Sequence, residues 1–279
     1  MTSVAVIILT YNEEPNIAHA LNSVSGWAHQ IFIVDSYSTD RTVPIARTYP
    51  CEIFQNQFVN YSSQRNFGLM ELPIKTEWVL FLDADEWVPD GLKREITEVI
   101  ESNPEENGFY IKYRMIWAGQ WIRRGYYPMW ILRLFRYGKA YCEDRSVNEH
   151  LIIEGKTGHL QNDFVHEDRK GIGDWIQKHI RYAEREATEL CKRNEGCDQQ
   201  EVGARLLGSQ AQRKRWLRYR MWNRMPPLVR PFLYFFYRYV LTGAFVEGRS
   251  ALLFHFMHAF WYPMLIDAKY LEMKRQTSR

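Results

Sequence analysis

At 279 residues, 46% hydrophobic and 15% aromatic, the chain can bury a substantial core, which excludes a disordered or low-complexity protein. Its formal net charge of +3 conceals an asymmetry, because residues 1–110 carry 16 acids against 6 bases and residues 111–279 carry 17 against 30. Four cysteines, Cys51, Cys142, Cys191 and Cys197, form neither a CxxC pair nor a zinc-type spacing and read as reduced structural thiols.

The opening MTSVAVIILTYNEE lacks a basic n-region and a small-residue cleavage site, so it reads as a first strand rather than a signal peptide. VAVIILT (4–10) is a continuous β-branched run, as expected of a strand buried on both faces. Ile17, Leu21 and Val24 then repeat at helical spacing. IFIVD (31–35) predicts a second strand, RTVPIARTY a short helix, CEIFQ (51–55) a third strand and residues 62–70 a helix. WVLFLD (78–83) predicts a fourth strand, followed by a helix over 89–101. Residues 109–117 and 130–135 alternate as antiparallel strands do, and 175–193 reads as a long amphipathic helix.

Strands alternating with helices predict βαβ units and a mostly parallel sheet, whose ligands bind at the carboxyl ends of the strands. Thr10-Tyr11-Asn12-Glu13, Asp35 and Asp83-Ala84-Asp85 all fall at such ends, so three polar clusters converge on one crevice. Two aspartates flanking a small residue offer hard oxygen ligands that suit Mg²⁺ or Mn²⁺. Glu86 reads as a solvated neighbour of that DXD turn.

The ordered runs VIILTYNEE, IVDSYSTDRT, SSQRNFGL and WVLFLDADEW resemble family 2 glycosyltransferases of the GT-A fold over roughly residues 3–185. Within that family the chain is similar to the bacterial enzymes that add a glucose to the lipopolysaccharide inner core, and to related surface-polysaccharide transferases. The resemblance implies an α/β GT-A fold in which Tyr11 lies against a nucleotide base while Thr10 and Glu13 help to hold base and ribose. It implies that Asp35 bonds the uracil or ribose and that Arg65 faces the diphosphate or supports Asp83. Asp83 would contact ribose and the metal's water shell, beside Ala84, and Asp85 would ligate the metal.

The resemblance also calls for a general base, and CEDRSVNEHL (142–151) offers Glu149 first and Asp144 second. His166, in NDFVHED, is expected to complete the metal shell or touch phosphate. Arg133 and Arg136 in LRLFR are candidates for the diphosphate or an anionic acceptor. Tyr126, Tyr127 and Trp130 are candidates for stacking on an acceptor sugar, with core packing as the alternative.

Residues 1–200 are expected to form the catalytic domain and 201–279 a basic, aromatic helical tail. Residues 202–246 hold nine Lys or Arg and no acid, interleaved with Trp, Tyr and Phe, which suits an anionic membrane interface. The seventeen uncharged residues between Arg249 and Asp267 are at the short end for a span, and an interfacial or re-entrant hairpin is the expectation. Homo-oligomerisation through this tail is the competing use, and the absence of a nucleic-acid module argues against nucleic acid as partner. The function expected is inverting transfer of a hexose, glucose first, from a UDP-sugar to a lipid-linked or lipopolysaccharide-type acceptor. The place expected is the cytoplasmic face of the inner membrane. A polyprenyl-phosphate glycosyltransferase and a non-catalytic sugar-nucleotide-binding scaffold are the competing readings.

Overall fold

A computed structural model of the chain describes residues 2–143, 151–194 and 225–277. The chain divides into two compact units, Met1–Gly171 and Ile172–Arg279. The boundary expected at residue 200 lies outside the described residues, and the long helix before it belongs to the second unit.

The first unit opens with β1 (Thr2–Thr10), α1 (Ile17–Val24), β2 (Ala28–Asp35), α2 (Thr42–Ala46), β3 (Glu52–Gln55) and α3 (Tyr61–Met70). It continues with β4 (Trp78–Asp83), β5 (Glu86–Trp87), α4 (Asp90–Glu101), β6 (Gly108–Trp117), β7 (Gln120–Ile122) and β8 (Met129–Arg136). Then come β9 (Ala140–Cys142), β10 (Leu151–Ile153) and β11 (Thr157–His166). The main sheet runs β3-β2-β1-β4-β8-β6-β11-β5, with β7 paired to β6. The pairs β1–β2, β1–β4, β2–β3 and β6–β11 are parallel, whereas β8 is antiparallel to both β4 and β6.

The apolar runs read from the sequence occupy the middle of this sheet, and both faces of β1 are buried. On one face Ala5, Ile7, Phe32, Val34, Val79 and Phe81 pack with Leu69, Leu72 and Phe135. Alternation sends Val4, Val6 and Ile8 to the other face, also fully buried. On α1, Ile17, Leu21 and Val24 are buried at i, i+4 and i+7, and Leu92 and Ile96 do the same on α4. Each such side chain contributes about 1.5–3 kcal/mol of burial. Asn60 starts α3 by accepting a hydrogen bond from the Ser63 amide at 2.7 Å. Register carries Thr10, Asp35 and Asp83 to the same edge of the sheet, since Thr10 pairs with Asp35 and Leu9 with Asp83.

Strand β11 was not visible in the sequence, because TGHLQNDFVH mixes buried and exposed positions without a clean period. It lies parallel to β6, and β5 folds back antiparallel onto its end, pairing His166 with Glu86.

Among the described residues the second unit holds α5 (Ile172–Asn194), α6 (Arg230–Phe235) continuing as π-helical turns Phe236–Leu241, a 3₁₀ turn Ala244–Glu247, and α7 (Arg249–His255). Helix α7 continues through π-helical turns Phe256–Trp261 into α8 (Tyr262–Thr277). Tyr262 donates from its hydroxyl to Glu186 at 2.9 Å, and Trp175 meets Trp261 and His258, joining α5 to this helix. The uncharged run 250–266 is therefore helical throughout and does not double back as expected. The turn lies earlier, between Leu241 and Arg249. Among the described residues no helix is long and apolar enough to cross a membrane.

Candidate active site

The loops after β1 and β2 are stitched together by polar side chains. Asp35, fully buried, accepts from the Thr10 hydroxyl (3.1 Å), the Ser38 amide (2.9 Å), the Ser38 hydroxyl (2.5 Å) and Gln55 Nε2 (3.4 Å). Asn12, at a φ of 52° that asparagine tolerates, accepts from the Thr39 amide at 2.8 Å, and its own amide donates to Ser38 Oγ at 2.9 Å. The Glu13 amide donates to Thr42 Oγ1 at 2.7 Å. Asp35 thus organises the loop bearing Tyr11, which is 55% exposed at the carboxyl edge of the sheet. From α3, Gln64 Nε2 donates to Ser36 Oγ (2.6 Å) and to the Asn56 carbonyl (2.9 Å), which fixes the helix that carries Arg65.

Carboxylates and guanidinium groups meet at the end of β4. Arg133, buried on β8, donates from Nη2 to Asp83 Oδ2 at 2.5 Å and to Glu86 Oε1 at 2.8 Å. Arg65 lies 3.7 Å from Asp83 on the other side. Burial alone opposes ionisation of Asp83, but Arg133 and then Arg65 hold its carboxyl well below the usual carboxylate range. Glu86 is only 3% exposed, and its Oε2 accepts from the Asp83 amide at 2.9 Å, so it is a buried partner and not the solvated neighbour expected. Burial raises its pKa, with the Asp83 charge adding to that and Arg133 opposing it.

Asp85 stands beside His166, with Oδ1 and Nδ1 at 3.5 Å, and its backbone carbonyl accepts from the Glu167 amide at 2.9 Å. Ligand atoms of Asp85, Glu86 and His166 lie within 4.8 Å of one another. Glu86 bonds Arg133 and the Asp83 amide and lies 3.8 Å from His166 Nδ1, so Asp85 and His166 are the candidates to face a cation beside it. One carboxylate and one imidazole fit a divalent ion that takes its remaining ligands from water and phosphate.

Residues 167–170 pack against the loop after β1, and no sequence pattern marked them. Asn16 Nδ2 donates to Asp168 Oδ1 at 3.1 Å, and the Arg169 amide donates to Asn16 Oδ1 at 2.9 Å. Lys170 Nζ reaches Glu13 Oε1 at 2.5 Å. Burial, and then the Asp85 charge, push the Glu13 pKa up to about 7 against the pull of Lys170. A carboxyl whose folded pKa lies above its unfolded value contributes stability fully present below about pH 4.5 and lost as pH rises through about 7. In chelator, the native chain should therefore lose about 2 kcal/mol relative to Glu13→Gln between about pH 5 and pH 8. Urea midpoints of the two proteins that stay parallel across that range would refute this.

Other expected residues are divided by the structure. Thr10, Tyr11, Glu13, Asp35, Arg65, Asp83, Ala84, Asp85, Arg133 and His166 gather at the carboxyl edge of the sheet. Arg136 does not: it pairs with Glu77 and lies 4.7 Å over Trp78, at the opposite end of β4. Three residues along antiparallel β8 suffice to carry it there. Tyr126 shares a 2.5 Å hydroxyl contact with Tyr113, whose ring is 6.0 Å from His166. Trp130 instead packs against His159 and Lys112, whose side chains alternate away from Tyr113. Glu149 and Asp144 lie outside the described residues, whereas Glu143, just before them, is fully buried. Cys51 is a free thiol, and Cys197 lies outside the described residues.

The sequence profile of glycosyl transferase family 2 matches residues 5–150, more than half of the chain. The chain belongs to glycosyl transferase family 2. An uncharacterised glycosyltransferase of Rickettsia typhi is 32% identical over 131 residues, which cover 46% of this chain and 44% of that protein. The lipopolysaccharide core biosynthesis glycosyltransferase LpsC of Rhizobium meliloti is 28% identical over 168 residues, covering 56% of this chain and 60% of its own length. The alignments thus span only about half the length of these curated relatives. The crystal structure of Staphylococcus aureus TarS 1–349 superposes with a TM-score of 0.50 at 14% identity, covering 100% of this chain and 92% of that one, a likeness of fold. The family profile stops at residue 150, before β11 and His166.

Proposed function

We propose that the protein is an inverting, metal-dependent glycosyltransferase that moves a hexose, glucose first, from a UDP-sugar to a membrane-anchored glycan acceptor of the lipopolysaccharide-core type. The observation that carries this reading is the meeting of Asp85 and His166 beside the stitched loops of Thr10–Glu13 and Asp35. The match to LpsC supports a core-glycan acceptor.

Tyr11 offers an exposed ring to the base, on a loop that Asp35 holds in shape. Mg²⁺ or Mn²⁺ held by Asp85 and His166 would stabilise the charge that gathers on the departing diphosphate. Arg65 and Lys170 bring positive charge to the same edge, and Arg133 keeps Asp83 ionised. Glu149 is assigned the proton of the acceptor hydroxyl, which attacks the anomeric carbon in one displacement and forms a β-linkage. The protein would act on the cytoplasmic face of the inner membrane.

The test is a panel of nucleotide sugars, with and without Mg²⁺ or Mn²⁺, scored for slow donor hydrolysis in the absence of acceptor. UDP-glucose should be consumed only with metal, and Glu149→Gln should lose transfer by at least about 100-fold. Transfer that survives Glu149→Gln would favour a lipid phosphate as acceptor, because a phosphate needs no strong base. No metal-dependent UDP binding in calorimetry would leave a scaffold as the reading.

A further inference from the structure

In the second unit the usual placement of polarity is inverted between Leu228 and Phe256. Arg230 is 4% exposed and Arg238 8%, while Phe232, Leu233, Phe236, Tyr237, Val240 and Leu241 are 38–66% exposed. The exposed residues recur in pairs every four positions, so they form one stripe along α6 and its π-helical continuation. Arg230 precedes the first pair and Arg238 lies between the second and third, both on the inward side. Arg230 donates from Nε and Nη2 to fully buried Asp267, which also accepts from the Leu228 amide at 2.8 Å. Arg238 donates from Nη1 to the Tyr234 hydroxyl at 2.6 Å.

Phe245 and Val246 extend the stripe around the turn, both more than half exposed. Phe232 and Phe235 pack on Phe260, and Phe256 on Phe260, so α6 and α7 form a hairpin. Burying arginine in order to expose phenylalanine costs free energy in water and gains it only against an apolar medium.

We propose that this hairpin is a monotopic membrane wedge, whose Phe232-to-Val246 stripe enters the headgroup and acyl boundary of an anionic bilayer. It deepens the membrane placement proposed above and rests on that reading. No described helix can span, so the wedge lies in one leaflet. The choice of lipid over a second copy of the chain follows from charge. Residues 202–224, leading into the hairpin, carry seven Lys or Arg and no acid, and Arg249 follows it. A second copy would bring the same basic excess, 30 bases against 17 acids over residues 111–279, whereas anionic headgroups attract basic residues by about 1 kcal/mol each near the surface.

The full chain is mixed with phosphatidylcholine vesicles, with or without about one-third phosphatidylglycerol, and sedimented. The native chain should follow the anionic vesicles and bind neutral ones at least about tenfold less. The combined variant Phe232→Ser, Phe236→Ser, Leu241→Ser should lower anionic partitioning by at least about tenfold while keeping the native circular dichroism. A native chain that stays in the supernatant, or a variant that binds like the native, overturns the proposal. A native dimer in sedimentation velocity that the same substitutions dissociate, without vesicle binding, gives the face to a second copy instead. UDP binding is measured by calorimetry on the same samples. Its loss alongside intact vesicle binding would fault the nucleotide reading alone, and the converse would fault the wedge alone.

Discussion

Asp85→Ala should abolish metal-dependent UDP binding and lower donor turnover by at least about 1,000-fold while leaving the protein folded. The fold ties itself to residue 85 through the backbone, where the carbonyl accepts from Glu167, and the carboxylate's own contact is with His166 Nδ1 at 3.5 Å. Removing that carboxylate also relieves Glu13 of the repulsion that helps to raise its pKa. Loss of function with an unchanged or slightly raised melting temperature is thus the signature of a ligand. Stably folded Asp85→Ala that still turns over donor in the presence of metal would defeat the assignment.

Arg133→Met should do the opposite and destabilise the fold by about 3–5 kcal/mol. Arg133 and Glu86 are both buried, at 4% and 3% exposure, and the substitution strands Glu86 without its cation. Glu86 already carries a raised pKa, first from burial, and losing Arg133 raises it further. A raised carboxyl favours the fold when protonated, so the penalty should shrink as pH falls and grow as pH rises. Adding Glu86→Gln should recover much of the loss, whereas Arg133→Lys should not, because a lysine loses the second guanidinium prong, Nη1, on Asp83 and the planar group that holds Nη2 between the two carboxylates. Urea unfolding at about pH 5.5 and pH 8 reads both effects, and a loss below about 1 kcal/mol at the higher pH would contradict them.

The parallel half of the sheet was legible because its strands are unbroken apolar runs and its helices repeat at i, i+4. The three strand-end clusters were legible for the same reason, since a buried run that stops at a carboxylate marks its own edge. What stayed hidden depends on pairing between distant segments. Glu86 looked solvated because its partner Arg133 is 47 residues away. Arg133 and Arg136 looked equivalent in LRLFR, yet one meets Asp83 and the other Glu77 at opposite ends of β4. Lys170 gave no signal, because a lysine in a polar loop is ordinary until its loop is seen against Glu13. The inverted stripe of α6 was visible as composition, but only burial showed that the arginines face inward.

The stitching of residues 167–170 to the loop after β1 bears on the order in which a nascent chain can become competent. Asn16 meets Asp168 across 152 residues and Glu13 meets Lys170 across 157. A ribosome delivers the first four strands, with TYNE, Asp35 and the Asp-Ala-Asp turn, long before it delivers β11. During that interval the cluster at the end of β4 lacks Arg133 at first and His166 for longer, so only Arg65 stands against its like charges. Assembly of the acidic edge therefore waits on the last strand of the first unit. A release of the chain near residue 150 would yield the family's recognisable motifs without the imidazole and the lysine that complete their surroundings.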